Sequence, residues 1–225
     1  MPREYRPEAR SPLFFAALLF ASVPSIPPFY REDSPVTVRF EQRALRECLG
    51  QFASGVTVVT TGDGGDIHGA TVSSFVSVSL DPPLVLVSLD RRSRTCERLG
   101  ACPAFGINVL AAGQRELALL FAGRGQEPAA GIRWEGDPAA PRLAGSAAHF
   151  TCVPWAAYDG GDHVLHVGEV LRFEVSGGEP LVFHAGALGG LRRPSGRSAW
   201  TGSLDGPAHG WAADFSVLAA PGEHL

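Results

Sequence analysis

Hydroxyl side chains recur through one β-rich apolar run: Thr71, Ser73, Ser74, Ser77, Ser79 and Ser88 stand among Val, Phe and Leu between Gly69 and Leu89. These side chains are small enough to let a flat ligand lie against the backbone, and each hydroxyl both donates and accepts a hydrogen bond. The chemistry open to such a wall is recognition of a planar polar ligand. The polar face of an exposed strand is its structural alternative. A second group follows: Ser88, Ser93, Arg94 and Thr95 come after a strand and beside a helix start, where backbone N–H groups and positive charge suit a phosphate. Arg91 and Arg92 add charge, and a solvated basic turn accounts for the same residues. His163 follows Gly160-Gly161-Asp162 at a strand start, placed for the rim of a site, although a lone histidine is ordinarily a hydrogen-bonded surface or core residue. Phe121 and Ala122 end a helical run in which the spacing to Leu117 already gives Phe121 a packing role.

Other chemistries lack their residues. The Gly62–Gly69 stretch has neither the G-x-G-x-x-G nor the G-x-x-x-x-G-K-[ST] spacing and reads as a hairpin turn. The serines do not fall in a G-x-S-x-G elbow, so a serine hydrolase has no support. Without H-E-x-x-H or paired Cys/His motifs, a metal site has no ligand set. Cys48, Cys96, Cys102 and Cys152 are irregularly spaced and are expected as buried reduced thiols.

The elements that must position these residues are short. Phe40, Ala44, Leu45, Cys48, Leu49 and Phe52 predict a first helix, ended by Gly55. A strand over Val56–Thr61 then turns back through Gly62–Asp66, and Asp81-Pro82-Pro83 separates the hydroxyl run from a strand over Leu84–Leu89. Ser93–Leu99 predicts a short helix, Phe105–Leu110 a strand and Gln114–Phe121 a second short helix. Gly123–Gly145, rich in Gly, Pro and Ala, reads as a long loop folding over a ligand. His149–Val153, His163–Val175 and Leu181–His184 supply the closing strands.

The 225 residues suffice for one domain with tails, and 27 Gly with 18 Pro favour turns over long helices. Nineteen basic against 23 acidic residues leave a net charge of -4, which excludes a global attraction to nucleic acid or an anionic membrane. Pro12–Val23 is apolar and has the size of a signal-peptide core but is short for a bilayer span. With Glu4 and Glu8 before it and Pro24, Pro27 and Pro28 after it, residues 1–38 are expected as a disordered extension. Residues 192–225 are expected as a mobile tail.

Five ordered blocks carry a family resemblance: Gly55–Thr61, Thr71–Ser88, Phe105–Leu110, Gln114–Ala122 and Asp159–His163. Together they resemble the flavin reductase components of two-component flavin-dependent monooxygenases. The resemblance implies a mainly β, FMN-binding split β-barrel with peripheral helices over residues 39–191, homodimeric and cytoplasmic. It implies that FMN or FAD is reduced by NADH, with NADPH the alternative, and passed to a separate monooxygenase. In its terms Thr71, Val72, Ser73 and Ser74 line the isoalloxazine ring, Ser88, Ser93, Arg94 and Thr95 hold the phosphate, and Phe121 and Ala122 border the flavin. His163 contacts the nicotinamide, with Asp162 orienting its ring. The chain departs from the family pattern at Ala130 before Gly131, where an aromatic is usual, and at Phe183–Leu188, which is poorer in aromatics. Competing readings are a split-barrel oxidase that retains its flavin and a noncatalytic flavin-binding protein.

Overall fold

A computed structural model describes residues 3–4, 41–126 and 131–191. The Pro12–Val23 run and the tail over 192–225 lie outside the described residues. Of the expected N-terminal extension, Arg3–Glu4 (β1) forms two residues of strand, with Arg3 opposite Phe173.

Two glycines start the main sheet. Gly64 and Gly65 both take positive φ (54° and 95°), the conformation a two-residue hairpin turn needs, and fold β3 (Thr57–Asp63) onto β4 (Asp66–Val72). Chain order then supplies β5 (Val76–Leu80), β6 (Pro83–Asp90), β7 (Phe105–Val109), β10 (Ala148–Gly160) and β11 (His163–Val175). They pair antiparallel in the order β4-β3-β7-β10-β11-β6-β5, with β1 added on β11. A three-stranded sheet of β2 (Ser54–Gly55), β12 (Leu181–His184) and β13 (Ala187–Gly190) lies apart from it, as does the hairpin of β8 (Trp134–Asp137) and β9 (Ala140–Leu143).

The two edge strands of the main sheet, β4 and β5, are consecutive in the chain and joined only by residues 73–75. Seven strands laid flat would hold those edges roughly 29 Å apart. The four peptide units from Val72 to Val76 span at most about 14 Å. The sheet must therefore curl until its edges meet at this end, which makes a barrel split along one seam. Residues 73–75 are the seam.

Burial along β3 explains the curled core. Thr57, Val58, Val59, Thr60 and Thr61 are all buried, so both faces of this strand are covered. Val59 packs with Val87, Leu89, Leu99, Phe105 and Ile107, while Val58 on the other face packs with Leu110, Ala118, Leu143 and Leu181. Among the described residues, three α-helices flank the strands: α1 (Gln42–Leu49), α2 (Arg94–Leu99) and α3 (Arg115–Phe121).

Three expectations are corrected. The region read as a long loop over 123–145 contains the β8–β9 hairpin, because Ala140 and Leu143 are fully buried and tertiary bonds hold the strand. Thr60 Oγ1 donates to the Pro141 carbonyl (2.6 Å), and the Leu143 N–H donates to Asn108 Oδ1 (2.8 Å). Helix α1 ends at Gly50, whose N–H donates to the Arg46 carbonyl, and Gly55 instead belongs to β2. The four cysteines are free, but only Cys96 and Cys152 are buried, whereas Cys48 is exposed and Cys102 half-buried.

Candidate functional site

The hydroxyl segment sits at the seam. Ser74 Oγ donates to the Ser88 carbonyl (2.9 Å) and accepts from the Ser88 N–H (3.0 Å), so one side chain ties the β4–β5 link to β6. Thr71 Oγ1 donates to the Ala118 carbonyl of α3 (2.8 Å), and Thr57 Oγ1 donates to the Val72 carbonyl (3.1 Å). Val72 itself packs against the core. Ser73 is exposed and borders a cavity of about 820 Å³ whose walls include Leu49, Phe52, Ser54, Phe183 and Ala185.

Directly opposed residues of an antiparallel pair project to one face, as do residues two apart on a strand. Ser88 lies opposite Leu165, and Asp90 lies opposite His163. Val85, Val87 and Leu89 fill the core from the other side of β6, so Ser88, Asp90 and His163 share its outer face. The same end of β6 leads into α2, where Ser93 is the N-cap and its Oγ accepts from the Cys96 N–H (3.1 Å). Arg94 is exposed and reaches Asp66 only at 3.5 Å, which leaves a weakly held cation at this corner.

Thr95 is placed differently from its neighbours. Its side chain is buried, with Oγ1 3.0 Å from His68 Nε2, so the hydroxyl turns into the protein. Burial, reinforced by Arg98 and Arg94, holds the His68 imidazole below its ordinary range. Arg98 also pairs with Asp66, keeping that carboxyl low and fastening α2 to the start of β4.

Phe121 meets the Trp134 ring edge-on at 5.9 Å between centroids. It also lies over Gly69: a Cβ there would stand 3.0 Å from its ring, so glycine admits the aromatic against β4. Ala122 caps α3, its N–H donating to the Ala118 carbonyl. Phe121 thus meets β4 at Gly69, Ala122 shares the Ala118 carbonyl with Thr71 of β4, and Phe121 serves the core as its spacing predicted.

At the other end, Asp162 Oδ1 holds His163 Nδ1 at 2.7 Å. With the proton on Nδ1, Nε2 is left as an acceptor. That bond is the leading cause of a lowered Asp162 carboxyl, while bonds from Arg92 hold Asp90 down at about 2. Sequence reasoning missed His68, for which no local signal exists. It also missed Asp159, although two carboxylates flanking Gly160-Gly161 opposite an Arg-Arg pair were a legible charge match.

The donor set suits a phosphorylated planar ligand. Ser73 and Ser88 offer hydroxyls that bond to no other described residue, Arg94 a weakly held guanidinium, and His163 a free ring nitrogen. Thr71, Ser74 and Thr95 instead spend their hydroxyls on the protein.

A flavin reductase-like domain model matches residues 49–192. An NADH-dependent flavin reductase of Rhodococcus sp is 43% identical over 150 residues, covering 65% of this chain and 85% of the relative. The reductase subunit of a flavin-dependent monooxygenase from Rhodococcus jostii is 38% identical, covering 67% and 78%. Among solved structures, the flavin reductase component of a bacterial two-component tryptophan halogenase superposes with a TM-score of 0.62 at 40% identity, covering 68% of this chain and all of that one. Curled sheet and sequence agree: this chain belongs to the flavin reductase-like family.

Proposed function

We propose that the chain is an NADH:flavin oxidoreductase that reduces FMN or FAD at the seam and releases it to a separate monooxygenase. The observation that carries this reading is the convergence of Ser88 and His163 on one sheet face, between the Ser73–Ser74 seam and the Ser93–Arg94 corner. When bound, the pair of nucleotides supplies the redox chemistry, a hydride moving from nicotinamide C4 to flavin N5.

The chain's part is placement. The hydroxyls of Ser73 and Ser88, with the backbone of residues 71–74, present hydrogen-bonding groups to the ring's polar edge, and such preorganised donors stabilise the charge that reduction brings there. Arg94 and the backbone about Ser93 and Thr95 take the phosphate, with Thr95 contributing its N–H rather than its hydroxyl. Phe121 and Ala122 support the wall from behind. His163 accepts a hydrogen bond at Nε2 from the incoming nicotinamide nucleotide, while Asp162 holds the ring in that tautomer. Alignment rather than proton removal is its role.

Residues 39–191 carry this activity. Leu49 and Phe52 of the α1 region and Val76, Val78 and Leu80 of β5 expose apolar surface, which supports a homodimer. No helix among the described residues is long and apolar enough to cross a membrane. Dependence on NADH and four free thiols support a cytoplasmic enzyme.

Spectrophotometry with FMN or FAD against NADH or NADPH tests the reading. NADH consumption should rise with added free flavin and saturate. Consumption indifferent to added flavin would instead indicate a retained flavin, and no consumption a binding protein.

A further inference from the structure

We infer that Arg91 is a positioning residue for the nicotinamide nucleotide, acting through the β10–β11 turn rather than on a phosphate. This inference rests on the proposed role of His163. The Arg91 side chain leaves the end of β6 and spreads over one turn. Its Nη2 donates to Asp159 Oδ1 (2.5 Å), to the Gly161 carbonyl (3.2 Å) and to the His163 carbonyl (3.3 Å), and its Nε also reaches the Gly161 carbonyl (3.4 Å). The main chain joins in, the Arg91 N–H donating to the Asp162 carbonyl (3.0 Å). Asp159 Oδ1 in turn accepts from the Gly161 N–H (3.1 Å), so arginine and carboxylate grip the turn from both sides.

An exposed ion pair alone adds little to stability, and Arg91 and Asp159 are both substantially exposed. Here the fork's acceptors all belong to residues 159–163, the two-residue turn Gly161–Asp162 and the strand ends that flank it. Gly161 has φ of 77° and Gly160 precedes it, so the turn has little stiffness of its own. A planar fork with several fixed donors can register such a turn in a way a flexible ammonium cannot. Its Nε and Nη2 are both committed to the turn, which separates it from Arg94: of the basic run, Arg94 faces the phosphate corner while Arg91 is turned toward His163. Arg92 is occupied with Asp90.

The consequence is kinetic. Loosening the turn blurs the position of His163 Nε2 and hence the alignment of the hydride donor, while the flavin wall, tied by Ser74, is untouched. In Arg91→Met, stopped-flow reduction of pre-bound flavin should need about 5–10 times more NADH for half-maximal rate, with flavin dissociation constants changed less than about 2-fold. Arg91→Lys keeps the charge but should recover only part of the loss, and Asp159→Asn should shift NADH dependence in the same direction. Because Arg91 acts through His163, adding Arg91→Met to His163→Ala should change NADH dependence by less than about 2-fold. Thermal melts of each variant confirm that the fold survives.

Several results overturn the inference. Flavin binding weakened about 5-fold or more by Arg91→Met, with Asp159→Asn silent, makes Arg91 a flavin-phosphate ligand. An undiminished effect of Arg91→Met in the His163→Ala background shows that it acts elsewhere. Normal NADH kinetics in Arg91→Met, with altered kinetics in His163→Ala, removes Arg91 alone. Normal kinetics in His163→Ala removes the underlying role of His163 and the inference with it.

Discussion

Replacing Ser74 by Ala removes the side-chain hydrogen bonds that tie the seam to β6. Its hydroxyl makes two bonds with the Ser88 main chain, at 2.9 and 3.0 Å. Two net contributions of about 0.5–1.5 kcal/mol give a loss of about 1–3 kcal/mol, and because the site is half-buried, water can replace part of it, which favours the lower half of that range. For a domain of this size each kcal/mol moves the melting temperature by about 2–4 °C, so the Ser74→Ala variant should melt about 2–8 °C below the parent. Its neighbour supplies the control: Ser73 is exposed and its hydroxyl bonds to no other described residue, so Ser73→Ala should leave the melt unchanged. The functional consequence runs in parallel. Freed from β6, residues 73–75 sample more positions, and flavin affinity in Ser74→Ala should fall about 3–10-fold by fluorescence titration, a loss of roughly 1 kcal/mol. A melt within about 1 °C of the parent would refute the pin. A lower melt with unchanged flavin affinity would keep the pin and remove the seam from the binding site.

Thr95→Val deletes the bond to His68 while preserving shape, so it should cost about 1 kcal/mol in denaturant unfolding yet leave flavin affinity nearly unchanged; a large affinity loss would show that the hydroxyl turns outward on binding. Acid should weaken the fold through its histidines. Burial, with Arg142 adding to it, pushes buried His149 down to about 4, and burial also lowers His68 and His166. The unfolded chain therefore binds more protons than the folded one below the ordinary histidine range. His149 contributes its full stability above about pH 6.5, and about 2–3 kcal/mol of it is lost as pH falls from there toward 4. Urea midpoints of the parent at pH 7.5 and 5 should differ accordingly, and His149→Gln should flatten the difference; an equal slope in both proteins would assign the acid loss to other groups.

What the sequence alone determined were the features carried by local chemistry. Strands His163–Val175 and Leu181–His184 were legible to the residue, because runs of apolar and β-branched side chains stop at turn residues. The paired glycines announced the β3–β4 hairpin, and Ser93 announced α2, since turn and cap preferences are properties of one or a few adjacent residues. The ordered blocks pointed to the family on the same footing. Only the tertiary structure decided where the side chains face. Ser74 meets Ser88 because the sheet curls, Thr95 turns inward because His68 waits across α2, and Arg91 faces the His163 turn because β6 and β11 pair in that register. Ala140 and Pro141, poor strand formers, become strand because Thr60 and Asn108 bond to that segment from β3 and β7. Each of these contacts joins residues 14 to 81 positions apart. Periodicity reports which face of an element is apolar, but which distant partner meets that face follows from closure of the whole sheet, a balance of burial and chain length that no local window contains.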